Sequence, residues 1–321
     1  MKKEEKFYSL DFEEPLLKLA KQINELEQNA VNEECRNSIA NLKQEFRKLK
    51  EKTYLNLAPH QKLQIARHPL RPYTLDYVKY LGTNWIELHG DRMGKDDSAI
   101  VGGLLELEEN RTVMIVGTEK GKNIKEKQKR NFGMPQPWGY RKALRLFKHA
   151  ETFSLPIITL VDTPGAYPGL EAEAQAQSIA IAENLQAMSN LTVPIIAIIT
   201  GEGGSGGALA LSVANKVIML EHAVYSVISP EGCAAILWRT RDKSAEAANN
   251  LKITAQELLE LGLIDEIIKE AVGGAHKNLE KTSEFLKQSI LKNLNELEAL
   301  TKEDLVKQRQ EKFRNYGAFI E

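Results

Sequence analysis

Three observations in the 321-residue chain predict an α/β fold. The apolar run Pro156-Ile-Ile-Thr-Leu-Val-Asp162 leads into a glycine-containing turn and then a helical pattern from Glu171 to about Asn190, and the same order recurs from Val193 to Ala214. Two such units make neighbouring parallel strands with their turns at the same end. Upstream, Ser98-Ala-Ile-Val-Gly-Gly103 and Arg111-Thr-Val-Met-Ile-Val-Gly117 flank Glu108-Glu-Asn110 as a β-hairpin. Helical spacing of apolar residues marks both ends of the chain.

At the N-terminus, Leu16, Leu19, Ile23 and Leu26 recur at spacings of three and four, as do Ile39, Leu42, Phe46 and Leu49. With Asn29-Ala-Val-Asn-Glu33 as the turn, they form a helical hairpin whose narrow apolar seam needs a partner surface, in this chain or another. In Ala66-Arg-His-Pro-Leu-Arg-Pro-Tyr-Thr-Leu-Asp-Tyr77 two prolines delay the next helix until Thr74. His68 reads as a loop-packing residue, with a catalytic role as the alternative. Residues Lys120 to Lys148 carry ten lysines and arginines against Glu119 and Glu126, divided by Pro135 and Pro137. Such a run is a solvated face, or a site for a phosphate-bearing ligand or an acidic subunit. Nucleic acid is not indicated, because Phe132, Trp138 and Tyr140 show no stacking-module pattern. A helix is expected from Tyr140 to Phe153. Asp162, in Asp-Thr-Pro-Gly165, reads as turn chemistry, with a catalytic base as the alternative. After the second glycine turn come a short strand at Val224–Ile228 and helices at Pro230–Trp238, Ser244–Ala248 and Thr254–Leu261. Phe285, Leu286, Ile290, Leu294 and Leu297 share one apolar face, packed internally or at an interface, and Thr301 with Asp304 opens a last charged helix.

The stretch Gly201-Glu-Gly-Gly-Ser-Gly-Gly-Ala-Leu-Ala210 holds five glycines at a strand-to-helix switch, the helix reading from Ala208. Glycines there let backbone N–H groups face a ligand, and the helix dipole adds positive potential, so the stretch is a candidate oxyanion cradle. The turn at Gly165 and Ala166 supplies a second set of donors. Gly201-x-Gly203-x-x-Gly206 also matches a dinucleotide fingerprint, with Glu221 about twenty residues on, but the helix that follows is short for a Rossmann crossover. Gly203-x-Ser205-x-Gly207 matches a nucleophile elbow, with Asp265 and His276 in hydrolase order and nothing in the sequence to bring them to Ser205.

The 43 Lys and Arg residues balance 44 Asp and Glu, so no whole-chain charge pulls toward nucleic acid or membrane. Cys35 and Cys233 stand about 200 residues apart, giving neither a disulfide framework nor metal-ligand spacing. The start, Met1-Lys-Lys-Glu-Glu-Lys6, leads into no apolar signal core, and no run approaches a membrane span. A soluble, cytoplasmic protein is expected.

Six segments carry a family resemblance: Ala66–Tyr77, Arg130-Asn-Phe-Gly-Met-Pro135, Gly139-Tyr-Arg-Lys-Ala-Leu-Arg-Leu146, Asp162-Thr-Pro-Gly-Ala-Tyr-Pro-Gly169, Gly201–Ala210 and Tyr225-Ser-Val-Ile-Ser-Pro-Glu-Gly-Cys233. Together they resemble the alpha subunit of the carboxyltransferase of bacterial acetyl-CoA carboxylase, over about residues 55 to 280. Trp138 stands where the family pattern has an acidic residue, and Ala174-Gln-Ala176 replaces a more charged, glycine-containing triplet. The resemblance implies a crotonase-type superhelix of ββα units between an N-terminal helical hairpin (1–54) and a helical tail (297–321). The carboxyltransferase domain spans 55–296, with the family's own boundary near 36. It further implies transfer of a carboxyl group from carboxybiotin on a carrier protein to acetyl-CoA, giving malonyl-CoA for fatty acid synthesis; a propionyl-CoA enzyme would use similar turns. Implied partners are a beta subunit in an alpha2beta2 heterotetramer, the biotin carboxyl carrier protein and biotin carboxylase. Zinc is expected only in the beta subunit, and this chain is expected to bind no metal and to carry no covalent biotin. On this reading Gly206 and Gly207, with Gly165 and Ala166, are the backbone oxyanion donors. Gly203 and Gly204 line the substrate, and Lys125, Lys129 and Arg130 are candidates for the CoA phosphates.

Overall fold

The computed structural model describes residues 8–28, 33–108 and 110–317. The proposed hairpin turn at Asn29–Glu33 and the β-turn at Glu108–Asn110 each fall partly outside the described residues, and the start at Met1–Lys6 falls wholly outside them. Helices α1 (Glu14–Gln28) and α2 (Glu33–Leu55) pack through Leu19, Ile23 and Ile39, the seam expected from their spacing. A second small cluster, Leu16, Tyr54, Leu57 and Ile65, fastens the base of this pair to the rest of the chain. The hairpin therefore packs at its base on its own protein. Helices α3 (Pro59–Ala66) and α4 (Thr74–Leu81) follow, separated by the proline-bearing loop.

Strands β1 (Thr83–Glu87), β2 (Ile100–Glu108) and β3 (Arg111–Thr118) are antiparallel, and β2 and β3 are the expected hairpin. Helix α5 (Ile124–Lys129) is capped by the Asn123 side chain, and α6 (Pro137–Thr152) starts three residues earlier than expected because Pro137 fits its first turn. Strand β4 (Ile157–Thr163) is buried along its whole length. The helix expected from Glu171 to Asn190 is two helices, α7 (Leu170–Ala174) and α8 (Gln177–Asn190), because Ala176 at φ +63° breaks the run. Strand β5 (Ile195–Gly204) ends in the glycine stretch, and α9 (Ser205–Leu209) is only five residues long, beginning earlier and ending sooner than Ala208–Val213.

Strands β6 (Lys216–Leu220) and β7 (Val224–Ser226) are followed by α10 (Pro230–Trp238), α11 (Ser244–Asn250), α12 (Ala255–Glu260), β8 (Glu266–Ile268), α13 (Leu279–Glu298) and α14 (Lys302–Arg314). The eight-stranded sheet has the order β1-β2-β3-β4-β5-β6-β8, parallel from β3 onward, with β7 pairing the end of β5. Strands covered on both faces read as continuous apolar runs, which is why β4 and β5 stand out in the sequence. Leu286, Ile290, Leu294 and Leu297 of α13 join the main core with Leu305 of α14, so that apolar face packs internally and the core runs past residue 297. Arg309, fully buried in α14, donates to the carbonyls of Met188, Leu191 and Val193, which holds the last helix against the ends of α8 and β5. Burial pulls its guanidinium down to about 10.

Candidate active site

Parallel strands β4 and β5 bring the two glycine turns into direct contact. A Cβ on Gly204 would stand 2.1 Å from the carbonyl oxygen of Pro164, and one on Gly207 would stand 2.4 Å from the nitrogen of Ala166. Only glycine permits that backbone-on-backbone approach. Gly203 is glycine for another reason, since a Cβ there would meet the Tyr225 ring at 2.8 Å. Gly206 faces open space, with Ile181 3.9 Å from its Cβ position.

The donors differ in availability. The Gly165 N–H donates to Thr163 Oγ1 at 3.1 Å, and that hydroxyl donates to the Gly165 carbonyl at 2.8 Å, so the turn spends this N–H on itself. The Ala166 N–H has no acceptor among the described residues, while Tyr167 N–H donates to the Pro135 carbonyl. Gly206 and Gly207 lie in the first turn of α9, where N–H groups lack an intrahelical acceptor. With so short a helix, the dipole adds little, and any anion stabilisation rests on these N–H groups themselves.

Two cavities flank the turns. One of about 460 Å³ is lined by Gly206, Leu209, Tyr225, Val227, Leu258 and Phe313, and is largely apolar. The other, about 200 Å³, is lined by Arg67, Tyr73, Lys120, Lys127, Asp162 and Glu202. Here Lys120 Nζ lies 2.6 Å from Asp162 Oδ1, and Arg67 bridges Glu202 (Nε to Oε1 3.0 Å) and Glu231 (2.6 Å). Burial lowers the Arg67 pKa, but its two carboxylate partners outweigh that and raise it overall. Arg67 and Glu202 were not read as site residues from the sequence, whereas Lys120 and Lys127 entered only as part of the basic run. The available signal was a lone acid, Glu202, inside a glycine turn, and an arginine in a proline-rigidified loop.

Several residues of the basic stretch are engaged by contacts within the protein, though only Lys142 is buried. Arg130 donates to the Ser98 carbonyl at 2.6 Å, Arg141 to that of Gln175, and Arg145 to that of Gly90. Lys142 is buried against Asp96 and the Ile100 carbonyl. Lys125 and Lys129 are exposed on α5, without a hydrogen bond or ion pair among the described residues. Trp138 is buried with Lys95 Nζ 3.9 Å from its ring centroid, a cation–π contact.

The hydrolase arrangement does not form. Ser205 is exposed at φ +51°, Asp265 accepts from Val217 N–H and pairs with Lys312, and His276 stacks on His68 at 3.9 Å. His68 Nε2 donates to the Tyr8 carbonyl and Nδ1 accepts from Leu70 N–H, so this ring packs a loop. The dinucleotide reading fails on α9, which is too short for a crossover helix, and on Glu221, whose carboxylate accepts from Glu270 N–H. Among the described residues no group of three or more His, Cys, Asp or Glu could hold a metal ion, and no helix is long and apolar enough to cross a membrane.

Residues 9–317 match the family described as acetyl co-enzyme A carboxylase carboxyltransferase-like. The chain is 52% identical over 315 residues to the acetyl-coenzyme A carboxylase carboxyl transferase subunit alpha of Geobacter metallireducens, covering 98% of this chain and 99% of the relative. It is 53% identical over 317 residues to the same subunit of Fusobacterium nucleatum, covering 97% and 99%. Among solved structures it resembles transcarboxylase 12S, with a TM-score of 0.57 at 21% identity, over 71% of this chain and 42% of that one. It also resembles the Pseudomonas malonate decarboxylase MdcD-MdcE hetero-dimer, with a TM-score of 0.53 at 16% identity, over 68% and 85%. At those identities the likeness is one of fold, and it is the crotonase-type fold expected from sequence.

Proposed function

We propose a half-site role from one premise: the chain belongs to the family of acetyl-CoA carboxylase carboxyltransferase alpha subunits. As such it is a carboxyltransferase of a biotin-dependent, multi-subunit enzyme that forms malonyl-CoA from acetyl-CoA. The finer assignment concerns which atoms do the work. Ala166, Gly206 and Gly207 supply backbone N–H donors, and Gly165 is set aside because its N–H is already engaged. The observation that carries this reading is the contact of Gly207 with Ala166, which joins the donors of two turns into one rigid wall.

Carboxybiotin, presented by a carrier protein, would supply the activated carboxyl group, and the N–H groups of Ala166, Gly206 and Gly207 would face its ureido oxygen, where negative charge would develop. Fixed N–H groups stabilise such charge without reorganising. The apolar cavity beside Gly206 suits the ring system and aliphatic arm of biotin, with Leu209, Tyr225 and Val227 excluding water. No general base of this chain is needed, because the ureido nitrogen left behind can take the acetyl proton. The beta subunit brings the other half, including any zinc, and an alpha2beta2 assembly accommodates two complete sites. In support, the matched 71% of this chain covers 42% of the transcarboxylase 12S chain that it resembles.

Turnover of acetyl-CoA and carboxybiotin tests the assignment. The chain alone is expected to be inactive, and adding the beta subunit to restore malonyl-CoA formation. In the assembled enzyme Ser205→Ala is expected to retain most of kcat, whereas Gly206→Val, whose Cβ meets no atom beyond its chain neighbours and own helix backbone closer than 3.9 Å, is expected to lose roughly 10²-fold in kcat/KM by crowding the cavity, with folding and assembly checked first. An inactive Ser205→Ala enzyme with normal assembly would return the serine to the chemistry.

A further inference from the structure

The register of β4 on β5 breaks where the site begins. Val161 pairs with Ile199, and the next pair is Thr163 with Gly203, so the single residue Asp162 faces three residues of β5: Thr200, Gly201 and Glu202. Up to Ile199 strand β5 also pairs β6; from Glu202 it pairs β7 instead. A bulge of this kind bends and twists the strand that carries it, and here that strand leads straight into Gly203–Gly207.

Buried charged side chains hold the bulge. Asp162, 1% exposed, accepts the Glu202 N–H on Oδ1 at 2.8 Å, and Lys120 Nζ reaches the same oxygen at 2.6 Å. Its own N–H is fixed on Thr118 Oγ1 at 2.6 Å. A Cβ on Gly201 would lie 2.4 Å from the Asp162 carboxyl carbon, so the glycine there makes room for this carboxylate. From the other side Arg71 Nε donates to the Thr200 carbonyl at 2.7 Å, while its two terminal nitrogens grip Glu270 at 2.7 and 3.0 Å. Each buried charge has an ionic partner and spends one further bond on the bulge. An unpaired N–H at Glu202 and an unpaired carbonyl at Thr200 would otherwise let the strand relax toward regular pairing.

We propose that Asp162, seconded by Arg71, is a positioning residue of the carboxyltransferase: by clamping the Thr200–Glu202 bulge it fixes the direction in which β5 delivers the Gly206 and Gly207 N–H groups beside Ala166. The inference rests on those groups being the donors. It also decides between two roles for Asp162, because a catalytic base needs the carboxylate's basicity, whereas a clamp needs only an oxygen that accepts the Glu202 N–H.

Asparagine can supply that oxygen, and alanine cannot. In the assembled enzyme Asp162→Asn is expected to keep kcat within about threefold, and Asp162→Ala to lower kcat by about 10- to 100-fold with KM for acetyl-CoA unchanged, since displaced donors weaken the transition state more than ground-state binding. Arg309→Lys, remote from the turns, serves as the control for lost stability: at a comparable drop in unfolding midpoint its kcat stays normal. Loss of 10³-fold or more in Asp162→Asn would overturn the clamp in favour of acid–base chemistry, and this arm decides even where Asp162→Ala fails to assemble. A folded Asp162→Ala enzyme with normal kcat would also overturn it. If Gly206→Val remains impaired beside that result, only the clamp is lost; if both variants are normal, the donor assignment itself fails.

Discussion

At the scale of single residues, two positions singled out in the sequence meet different fates. Trp138 is absorbed by a lysine placed over its ring, but Ala176 is held at φ +63° between α7 and α8, a conformation in which its Cβ is crowded by the backbone. Left-handed geometry costs a non-glycine residue about 1–2 kcal/mol, partly offset by the lower chain entropy that alanine has when unfolded. Ala176→Gly is accordingly expected to stabilise the protein by about 1 kcal/mol, read as a higher denaturant midpoint at unchanged slope. A lower midpoint would mean that tertiary contacts, not backbone strain, set the energy at this joint. The joint was not marked in the sequence, since alanine is a strong helix former and hid the break. The site was legible in part. Glycines spaced through a strand-to-helix switch announced the turns, yet which N–H is spent within its own turn depends on the Thr163 rotamer, and motif spacing carries no such information.

At the scale of elements, a stacked ring pair is one of the contacts that join the loop after α3 to the late part of the chain. The loop between α3 and α4 places His68 against His276, near-parallel at 13°, and both nitrogens of His276 are buried without a hydrogen-bond partner. Burial, with the charges of Lys277 and Arg71 and the neighbouring His68, pulls the His276 pKa from 6.5 down to about 2, and burial lowers that of His68 as well. A depressed histidine pKa means that the unfolded chain takes up protons which the folded chain refuses, so stability is full above pH 6.5 and falls as the pH drops toward 2. Glu270 adds its own loss only lower down. Burial pushes its carboxyl up, the Arg71 charge outweighs this, and the resulting depressed pKa costs stability only below about pH 4.5. Between pH 7 and pH 5 the histidines lower stability, offset in part by Asp97, whose carboxyl burial pushes up to about 6 so that the folded chain takes up a proton there. His276→Phe keeps a ring on His68 and removes the proton acceptor, so the stability lost from pH 7 to pH 5 should shrink by about 1–2 kcal/mol relative to the parent, measured by denaturant unfolding at both values. An unchanged difference would place the acid sensitivity elsewhere. Neither histidine's partner could be read from sequence, because the pairing joins positions about 200 residues apart, whereas the helical seam of α1 and α2 could, because it is written at spacings of three and four.

At the scale of the whole molecule, charge that looks like one ligand surface in the sequence is in good part engaged by contacts within the protein, while most of it stays half-buried or exposed. The run from Lys120 to Lys148 suggested one basic face, but folding turns Arg130, Arg141 and Arg145 onto backbone carbonyls and buries Lys142, so that the run ties the hairpin strands, α6 and α7 together. What remains for an outside partner beside the site is the outer face of α5, with Lys125 and Lys129, next to the cavity that Lys120 and Lys127 enter, while Lys148 is exposed on α6. Two occupants compete for it in a half-site enzyme: the phosphates of CoA, or an acidic patch on the beta subunit. Their kinetic signatures differ. A phosphate contact remote from the reacting carbon binds ground and transition states alike, so Lys125→Ala and Lys129→Ala would each raise KM for acetyl-CoA about two- to fivefold at unchanged kcat, the modest size reflecting solvent screening of exposed charges. That increase should fade as ionic strength rises, because both the lysines and the phosphates are then screened in the parent enzyme as well. A subunit contact would leave KM for the assembled enzyme untouched and weaken assembly instead, seen as a higher beta-subunit concentration for half-maximal activity. Arg130→Ala is set apart from both: its guanidinium holds the Ser98 carbonyl, so it should lower the unfolding midpoint, and a KM effect without that loss of stability would place Arg130 with the lysines in the ligand surface.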